Sequence, residues 1–233
     1  MSQTSKTVLL NKKFLIKIFK KKGVKSIRLT LSQNGDIRLT TPKWVSNRLA
    51  LEFLENQLDF IKNNYHEKLP FEDNQLIGRY HRILVEPIDS SSPLKLKVTS
   101  NNLIVSLPPD YLINDPEVQT KINLKALKIL KDEAENYLPQ RLSQLATLID
   151  YEYQSVKIKQ LKRRWGSCDN KKNITFNFFL MNLPNELVDY VIYHELCHTK
   201  VLNHSVNFWQ LLESIYPGSQ KYRKMIKKFQ PQI

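Results

Sequence analysis

The pair His194 and His198 restricts the fold of this 233-residue chain most, because these residues can act together only on a helix. They lie four positions apart in the run HELCH, and such residues are about 40° apart around a helix axis. Leu187 and Val191 precede His194 at helical spacing, so the same side of the helix is apolar. The pattern predicts a helix from about residue 184 to residue 200, with both imidazoles turned toward the protein interior.

Glu195 follows the first histidine, and this HExxH run is typical of helices on which two imidazoles hold a metal ion with the glutamate beside them. Such a glutamate can accept a proton from water that the metal polarises. His204 follows His198 by six residues, and Asn203 and Ser205 offer a turn residue and an N-cap for the next helix. Three imidazoles and one open position would make a catalytic zinc site.

Other residues near this run offer alternatives. Glu213 is an alternative third ligand, because some zinc sites take a carboxylate from a following helix. His66 and His81 stand alone in the sequence and are interpreted as ordinary surface or core residues. Cys197 lies about 60° from His194 around the helix, so we expect a small buried hydrophobic residue.

The composition excludes several classes of protein. The chain has five glycines, and none of them stands in a Walker sequence or a GxGxxG run, so the usual P-loop ATPases, kinases and nicotinamide enzymes are excluded. No run of about 18 apolar residues is present, and the first residues lack the features of a signal peptide. With only two cysteines, we expect a reducing compartment, a cytoplasmic location and no membrane partner.

The net charge of +14 is unevenly distributed. Residues 1–66 carry 13 cations and four acids, whereas residues 67–120 carry five cations and eight acids. The basic stretches are residues 12–28, 157–172 and 221–228. Such stretches attract polyanions, although charged runs are also common on solvated faces. Two alternatives therefore stay open: a nucleic-acid-associated protein in which the metal is structural, and a protease recruited to proteins on DNA.

Apolar periodicity predicts an α+β fold. In the N-terminal half it predicts a hairpin of residues 24–31 and 36–40 around Gln33, Asn34 and Gly35, a helix over 45–65, and strands over 79–86, 94–99 and 103–107. In the second half it predicts a helix from 115 to Pro139 with a continuation to about 148, a hairpin of 155–160 and 173–177, and helices over 184–200, 205–216 and 219–229. The expected organisation is a basic extension over 1–19, an α+β half over 20–110 and a catalytic domain over 111–233.

Several runs resemble the YgjP-like metallopeptidase family, which is related to SprT and Wss-type proteases that act on DNA-associated proteins. The specific runs are RWGSC at 164–168, NITFN at 173–177, DYVIYHELCH at 189–198, NHS at 203–205 and FW at 208–209. The N-terminal half agrees more loosely, through KSIRL at 25–29 and LIGRYH at 76–81. The resemblance extends over about residues 20–229.

This resemblance implies a zincin-like catalytic domain that hydrolyses peptide bonds in peptide or protein substrates. It implies His194, His198 and His204 as metal ligands and Glu195 as the catalytic acid and base. Zinc is the implied metal, and nickel or another divalent ion is chemically compatible with such a site. In metzincins a glycine stands where this chain has Val201, and a β-branched residue disfavours the positive φ of that glycine, which argues against that group.

The substrate-binding residues are not identified by the sequence. Residues 165–168 have two interpretations: a strand edge along which an extended peptide lies, with Arg164 pairing to a carboxylate or a carbonyl, or core packing around a turn. Tyr193 and Tyr216 are the nearest candidates in sequence for a donor to the developing oxyanion.

Overall fold

Contacts between residues divide the chain into two units, Met1–Leu69 and Pro70–Ile233. The structure is a computed structural model, and it describes residues 5–11, 13–31, 37–65 and 69–231. Among the described residues, no helix is both long enough and apolar enough to cross a membrane. The mixture of sheets and helices confirms the predicted α+β class.

The first unit is a four-stranded sheet with two helices. Its elements are β1 (Ser5–Leu10), β2 (Phe14–Lys21), β3 (Arg28–Leu31), β4 (Ile37–Pro42), α1 (Asn47–Asn56) and α2 (Leu58–Asn64). The strand order is β1-β2-β4-β3. Strand β2 alternates strictly, with Phe14, Ile16 and Ile18 buried and Leu15 and Lys17 exposed, so one side of the sheet contributes to a core.

Two predictions for this unit need correction, and one is confirmed. Strands β3 and β4 pair antiparallel, as predicted, while the predicted turn at residues 33–35 lies outside the described residues. Residues 5–19 are not an extension, because they form β1 and most of β2. The single helix predicted over 45–65 is divided at Gln57, and its two parts bury Leu54 and Ile61 in the same core.

The second unit contains two sheets and the remaining helices. Its strands are β5 (Leu76–Ile77), β6 (His81–Pro87), β7 (Lys95–Val98), β8 (Asn102–Leu107), β9 (Ser155–Lys159), β10 (Gly166–Cys168) and β11 (Asn173–Asn177). Its helices are α3 (Pro116–Leu148), α4 (Asn185–Cys197), α5 (Val206–Ile215) and α6 (Ser219–Ile226), with a 3₁₀ turn at Phe178–Asn182. The strand orders are β5-β6-β8-β7 and β10-β11-β9.

The boundary between the units lies near residue 69 rather than at the expected residue 110. The reason is that Ile83 of β6 and Leu103 and Val105 of β8 belong to the same core as Ile122 and Ala126 of α3. Helix α3 passes through Pro139 without a break. The carbonyl that Pro139 leaves unpaired belongs to Glu135, which is exposed, so water can satisfy it.

The predicted hairpin of residues 155–160 and 173–177 is wrong. Strands β9 and β11 pair in parallel, and it is β10, within their connection, that pairs antiparallel with β11. A parallel pair needs a crossover of about a dozen residues or more, which residues 160–172 provide. As a result, β10 is an edge strand, and it packs against α4.

Candidate metal centre

The HExxH run lies at the C-terminal end of α4. Buried Leu187 and Val191 fix one side of this helix in the core, as their spacing predicted. Arg141 of α3 makes a two-point ion pair with Asp189, with Nε–Oδ1 and Nη2–Oδ2 distances of 2.8 and 2.6 Å. The helix ends at Cys197, and His198 follows with helical backbone angles. Both histidines are therefore held on a helix that is anchored at its middle.

His204 returns to this helix end through a tight reversal of the chain. The Val201 N–H donates to the Cys197 carbonyl at 2.9 Å, and Ser205 stands at the N-cap of α5. The Nε2 atoms of His204 and His194 are 3.0 Å apart. Ring nitrogens of His194, His198 and His204 lie within 4.8 Å of one another, so three potential ligand atoms surround one point.

The protonation of these rings suits metal binding. The Nδ1–H of His198 donates to the Val201 carbonyl at 3.1 Å, and this leaves its Nε2 with the lone pair. Burial, together with the neighbouring histidines, lowers the pKa of His194 to about 3. Burial also lowers the pKa of His198 and of His204. All three imidazoles are thus neutral near pH 7, which is the form that binds a cation.

Two aromatic side chains of α5 support the three imidazoles. The buried ring of Phe208 stacks on His198, with centroids 4.5 Å apart, and meets the edges of His194 and His204. The Trp209 indole stacks on His204, while its N–H donates to the His204 carbonyl at 3.1 Å. Phe208 and Trp209 belong to a run that carries the family resemblance, but no role of their own was predicted for them from the sequence.

The carboxyl group of Glu195 is buried, with 4% of the residue exposed, and one of its oxygens has no hydrogen-bond partner. Burial raises the pKa of Glu195 to about 8, and the positive charge of Arg164 acts in the opposite direction. A buried carboxylate oxygen without a partner is unfavourable unless a ligand or a reaction uses it.

Gly166 allows β10 to lie directly against this glutamate. A Cβ atom at residue 166 would stand 2.7 Å from Glu195 Oε1 and 2.8 Å from Cγ, which is closer than real Cβ atoms approach. The segment before β10 is held by Asn177, whose side chain donates to the carbonyls of Leu161 and Arg164. Gly166 lies in the segment that the sequence offered as a strand edge for the substrate, whereas Asn177 was marked only by the run NITFN of the family resemblance.

An open cleft of about 450 Å³ connects the histidines, Glu195 and β10. Trp165 belongs to both interpretations of its segment, since it packs on the core and also lines this cleft. Cys168 lines the cleft with a thiol whose pKa burial raises to about 11, so the thiol is protonated. The lining residues are Arg164, Trp165, Gly166, Ser167, Cys168, Tyr190, Val191, His194, Glu195, His198, Leu202, His204 and Ile226.

Glu213, the alternative third ligand, makes its hydrogen bonds at the start of α6. Its carboxylate accepts hydrogen bonds from the Gly218 N–H at 2.7 Å and the Ser219 hydroxyl at 2.6 Å, at the start of α6. The Ser219 hydroxyl, first among its partners, lowers the pKa of Glu213. The carboxylate is therefore occupied in capping α6, which does not favour it as a third ligand.

The tyrosines predicted as oxyanion donors are not in the cleft lining. Tyr193 stacks on Tyr216, and the Tyr216 hydroxyl donates to the Glu186 carbonyl at 3.1 Å. Tyr190 lines the cleft instead, and burial raises its pKa to about 12, so its hydroxyl keeps its proton and can donate.

Of the two remaining histidines, the structure describes only His81. His81 contacts the buried Glu133, with 2.7 Å between Nδ1 and Oε1, and is a core residue as interpreted from the sequence. His66 lies outside the described residues. Cys197 is fully buried, as expected for a small hydrophobic residue.

Comparisons with known proteins place the chain in a family. No curated protein matches it. It is similar to two solved structures of metallopeptidase zymogens. Abylysin of Pyrococcus abyssi has 26% identity and a TM-score of 0.36, and the match covers 41% of this chain and 97% of that one. Jannalysin of Methanocaldococcus jannaschii has 24% identity and a TM-score of 0.34, and the match covers 39% of this chain and 94% of that one. The model of the YgjP-like metallopeptidase domain matches residues 25–229, which is most of the chain. The chain therefore belongs to the YgjP-like metallopeptidase family.

Proposed function

We propose that this chain is a zincin-like peptidase in which His194, His198 and His204 hold one divalent ion, and that this ion is zinc. The observation that carries the proposal is the convergence of three neutral imidazoles beside a buried carboxylate with an unpartnered oxygen. Two ligands of a tetrahedral zinc ion are about 3.3 Å apart, which is close to the 3.0 Å between Nε2 of His194 and Nε2 of His204. Nickel or another divalent ion is compatible with the same donors.

A bound divalent ion would supply Lewis acidity, which polarises the scissile carbonyl and lowers the pKa of water. The positive charge of that ion would favour the ionised form of Glu195, which can then accept the proton of the attacking water and deliver it to the nitrogen of the leaving amine. The proton that Glu195 gains in the first step is the one that it loses in the second, so the carboxylate is regenerated. The Tyr190 hydroxyl is the candidate donor to the oxyanion, because Tyr190 lines the cleft and retains its proton.

Strand β10 is the candidate support for the substrate backbone. It is the edge strand of its sheet, and it lines the cleft beside Glu195. An extended peptide can pair with such an edge through main-chain hydrogen bonds. Gly166 has no side chain to separate the peptide from Glu195, and Arg164 at the end of this strand offers a cation for a carbonyl or carboxylate of the substrate.

The test combines metal analysis with hydrolysis of a general protein substrate. We expect the purified chain to contain one equivalent of zinc, Glu195→Gln to keep the metal but lose hydrolysis, and His194→Ala or His204→Ala to lose both. Glu213→Gln is the matched control, and it should keep both because its carboxylate caps α6. A chain without a bound divalent metal would refute the proposal, and metal loss in Glu213→Gln would refute His204 as the third ligand.

A further inference from the structure

The sheet of the first unit has one face that helices cover and one that they do not. Ile16, Ile18, Ile37 and Leu39 point to the covered side, where they form a core with residues of α1 and α2. Residues that are opposite each other in neighbouring strands point to the same side. The register therefore defines the second face, which we call the outer face: Thr7, Leu9, Leu15, Lys17, Phe19, Lys21, Arg28, Thr30, Arg38 and Thr40.

The acidic residues that the structure describes in this unit lie on one side of the sheet. The outer face carries Lys17, Lys21, Arg28 and Arg38, and none of the residues in the four strands is acidic. Glu52, Glu55 and Asp59 lie on α1 and α2, on the other side of the sheet. Within the described residues, no carboxylate is in ion-pair distance of Arg28 or Arg38. The outer face is thus a concentrated positive surface rather than a mixed one.

The centre of the outer face contains a stacked pair. The Arg38 guanidinium lies over the Phe19 ring, with 3.8 Å between Cζ and the ring centroid, and Phe19 is half-buried. This contact places the guanidinium over the ring, and Arg38 is exposed, so solvent can reach the pair. Nucleic-acid bases stack on guanidinium planes and aromatic rings, and neighbouring cations bind the phosphates. The two features that single-stranded binding requires therefore occur together.

We propose that the outer face binds single-stranded nucleic acid, with bases stacked over the Arg38 and Phe19 pair and phosphates bound by Arg28 and Lys21. A broad sheet face suits splayed single strands, whereas reading a duplex usually requires an element that enters a groove. Leu9 and Leu15, which are exposed, lie together at the β1 edge, away from Arg28. This activity is independent of the proposed peptidase chemistry, because none of these residues belongs to the metal centre.

The experiment measures binding of the full chain to a labelled oligothymidylate of about 20 nucleotides by fluorescence anisotropy. Affinity should fall as salt rises from about 50 to about 200 mM. Arg28→Gln with Arg38→Gln should weaken binding about tenfold and reduce the slope of log K against log salt by about 0.7, because only Arg28 of the two contacts a phosphate and each such contact on a single strand contributes about 0.7. Glu195→Gln should bind like the native chain.

Three further variants separate position, charge and stacking. Lys95→Gln with Lys97→Gln removes two exposed cations from β7 of the second unit and should leave affinity within about twofold of the native value. Arg28→Lys with Arg38→Lys should keep the salt slope, whereas the loss of the planar group should weaken binding. Phe19→Leu should also keep the salt slope and weaken binding, because it removes the aromatic ring but keeps an apolar group in the half-buried position. Melting curves identify any variant that does not fold.

Several outcomes would overturn the proposal. One is no binding at about 50 mM salt, and another is an equal loss in the arginine variant and in the Lys95 and Lys97 variant. A third is preference for a duplex of the same length. The last is binding through these arginines to phosphatidylserine vesicles but not to the oligonucleotide, which would assign the outer face to anionic lipid instead.

Discussion

Two glutamates of the second unit have the same burial and nearly the same surroundings, yet different partners. Glu133 on α3 is 6% exposed, and Glu195 on α4 is 4% exposed. Each carboxyl group lies against a glycine, and a Cβ atom at either glycine would overlap with it: Gly78 for Glu133 and Gly166 for Glu195. Both glutamates are therefore helical residues that are buried and in close contact with the backbone of a glycine.

The difference is in the hydrogen bonds. Glu133 accepts from the backbone N–H groups of Arg79 and Tyr80, at 2.7 and 3.2 Å, and from Nδ1 of His81 at 2.7 Å. Glu195 has an oxygen without any partner. A buried carboxylate whose donors are all supplied by the protein stabilises the fold, whereas one left without donors is available for chemistry. Burial alone thus does not distinguish these two carboxylates, whereas the count of their hydrogen-bond donors does.

The largest expected effect comes from the same substitution at the two glutamates. Glu195→Gln should lower kcat for peptide hydrolysis by about 10²- to 10⁴-fold, because it removes the proton acceptor. Glu133→Gln should leave kcat within about threefold, because the partners of its carboxylate, Arg79, Tyr80 and His81, do not line the cleft. Steady-state kinetics at saturating zinc measures both values. Equal losses in the two variants would remove the distinction that the hydrogen bonds imply.

Stability should respond in the opposite order. Glu133→Gln should lower the free energy of unfolding by about 1–3 kcal/mol, since an amide cannot accept from all of the surrounding donors. In metal-free protein Glu195→Gln should not lower it. Burial raises the pKa of Glu195 from 4.5 to about 8, so the folded state retains a proton that the unfolded state releases, and stability falls as pH rises between these values. Glutamine does not ionise, so the Glu195→Gln variant does not lose stability in this way. After chelator treatment of both proteins, the variant should unfold at a higher denaturant concentration than the native chain, and the difference should be largest at pH 8.

Substitution of the two glycines is the next test, and its effect should be smaller. Gly166→Ala should displace β10 or the Glu195 carboxyl and reduce kcat/KM by about tenfold, with bound zinc retained. Gly78→Ala places a methyl group against Glu133 at a position with φ of +64°, so it should lower the melting temperature and leave kcat unchanged. Thermal melts and kinetics on both variants are the measurement. Loss of activity in Gly78→Ala at a temperature where it is folded would contradict the separation.

The smallest expected effect concerns the charges near β10. Neutralising Lys162, Arg163 and Lys171 should change KM and its salt dependence by a few-fold and leave the bound metal unchanged, since exposed charges act at long range and are screened. The triple variant of Lys121, Lys125 and Lys128 on α3 is a matched control with the same change in net charge. If the two triple variants behave identically, the basic stretch at residues 157–172 has no specific part in substrate capture.

Local patterns in the sequence predicted much of this arrangement, and long-range contacts account for what they missed. Helical spacing predicted α4, and the turn residues at 203 and 205 predicted the return of His204 to the helix end. The pairing of Glu133 with His81 joins residues 52 positions apart, so no local pattern could indicate it. Strand alternation has the same period in parallel and antiparallel pairs, which is why β9 and β11 were predicted as a hairpin. The roles of the histidines and Glu195 stay predictions until metal and kinetics are measured.

The short edge strand β10 also bears on unwanted pairing between strand edges of neighbouring molecules. An exposed strand edge is a template for pairing with any extended chain, including another copy of the same protein. Strand β10 has only three residues, and it lies against α4 inside a cleft rather than along an open rim. With three residues, this edge offers a neighbouring sheet few main-chain hydrogen bonds, whereas a single extended segment can also contact the rest of the cleft. The shortness that leaves room for one peptide thus also limits sheet-to-sheet pairing along this edge.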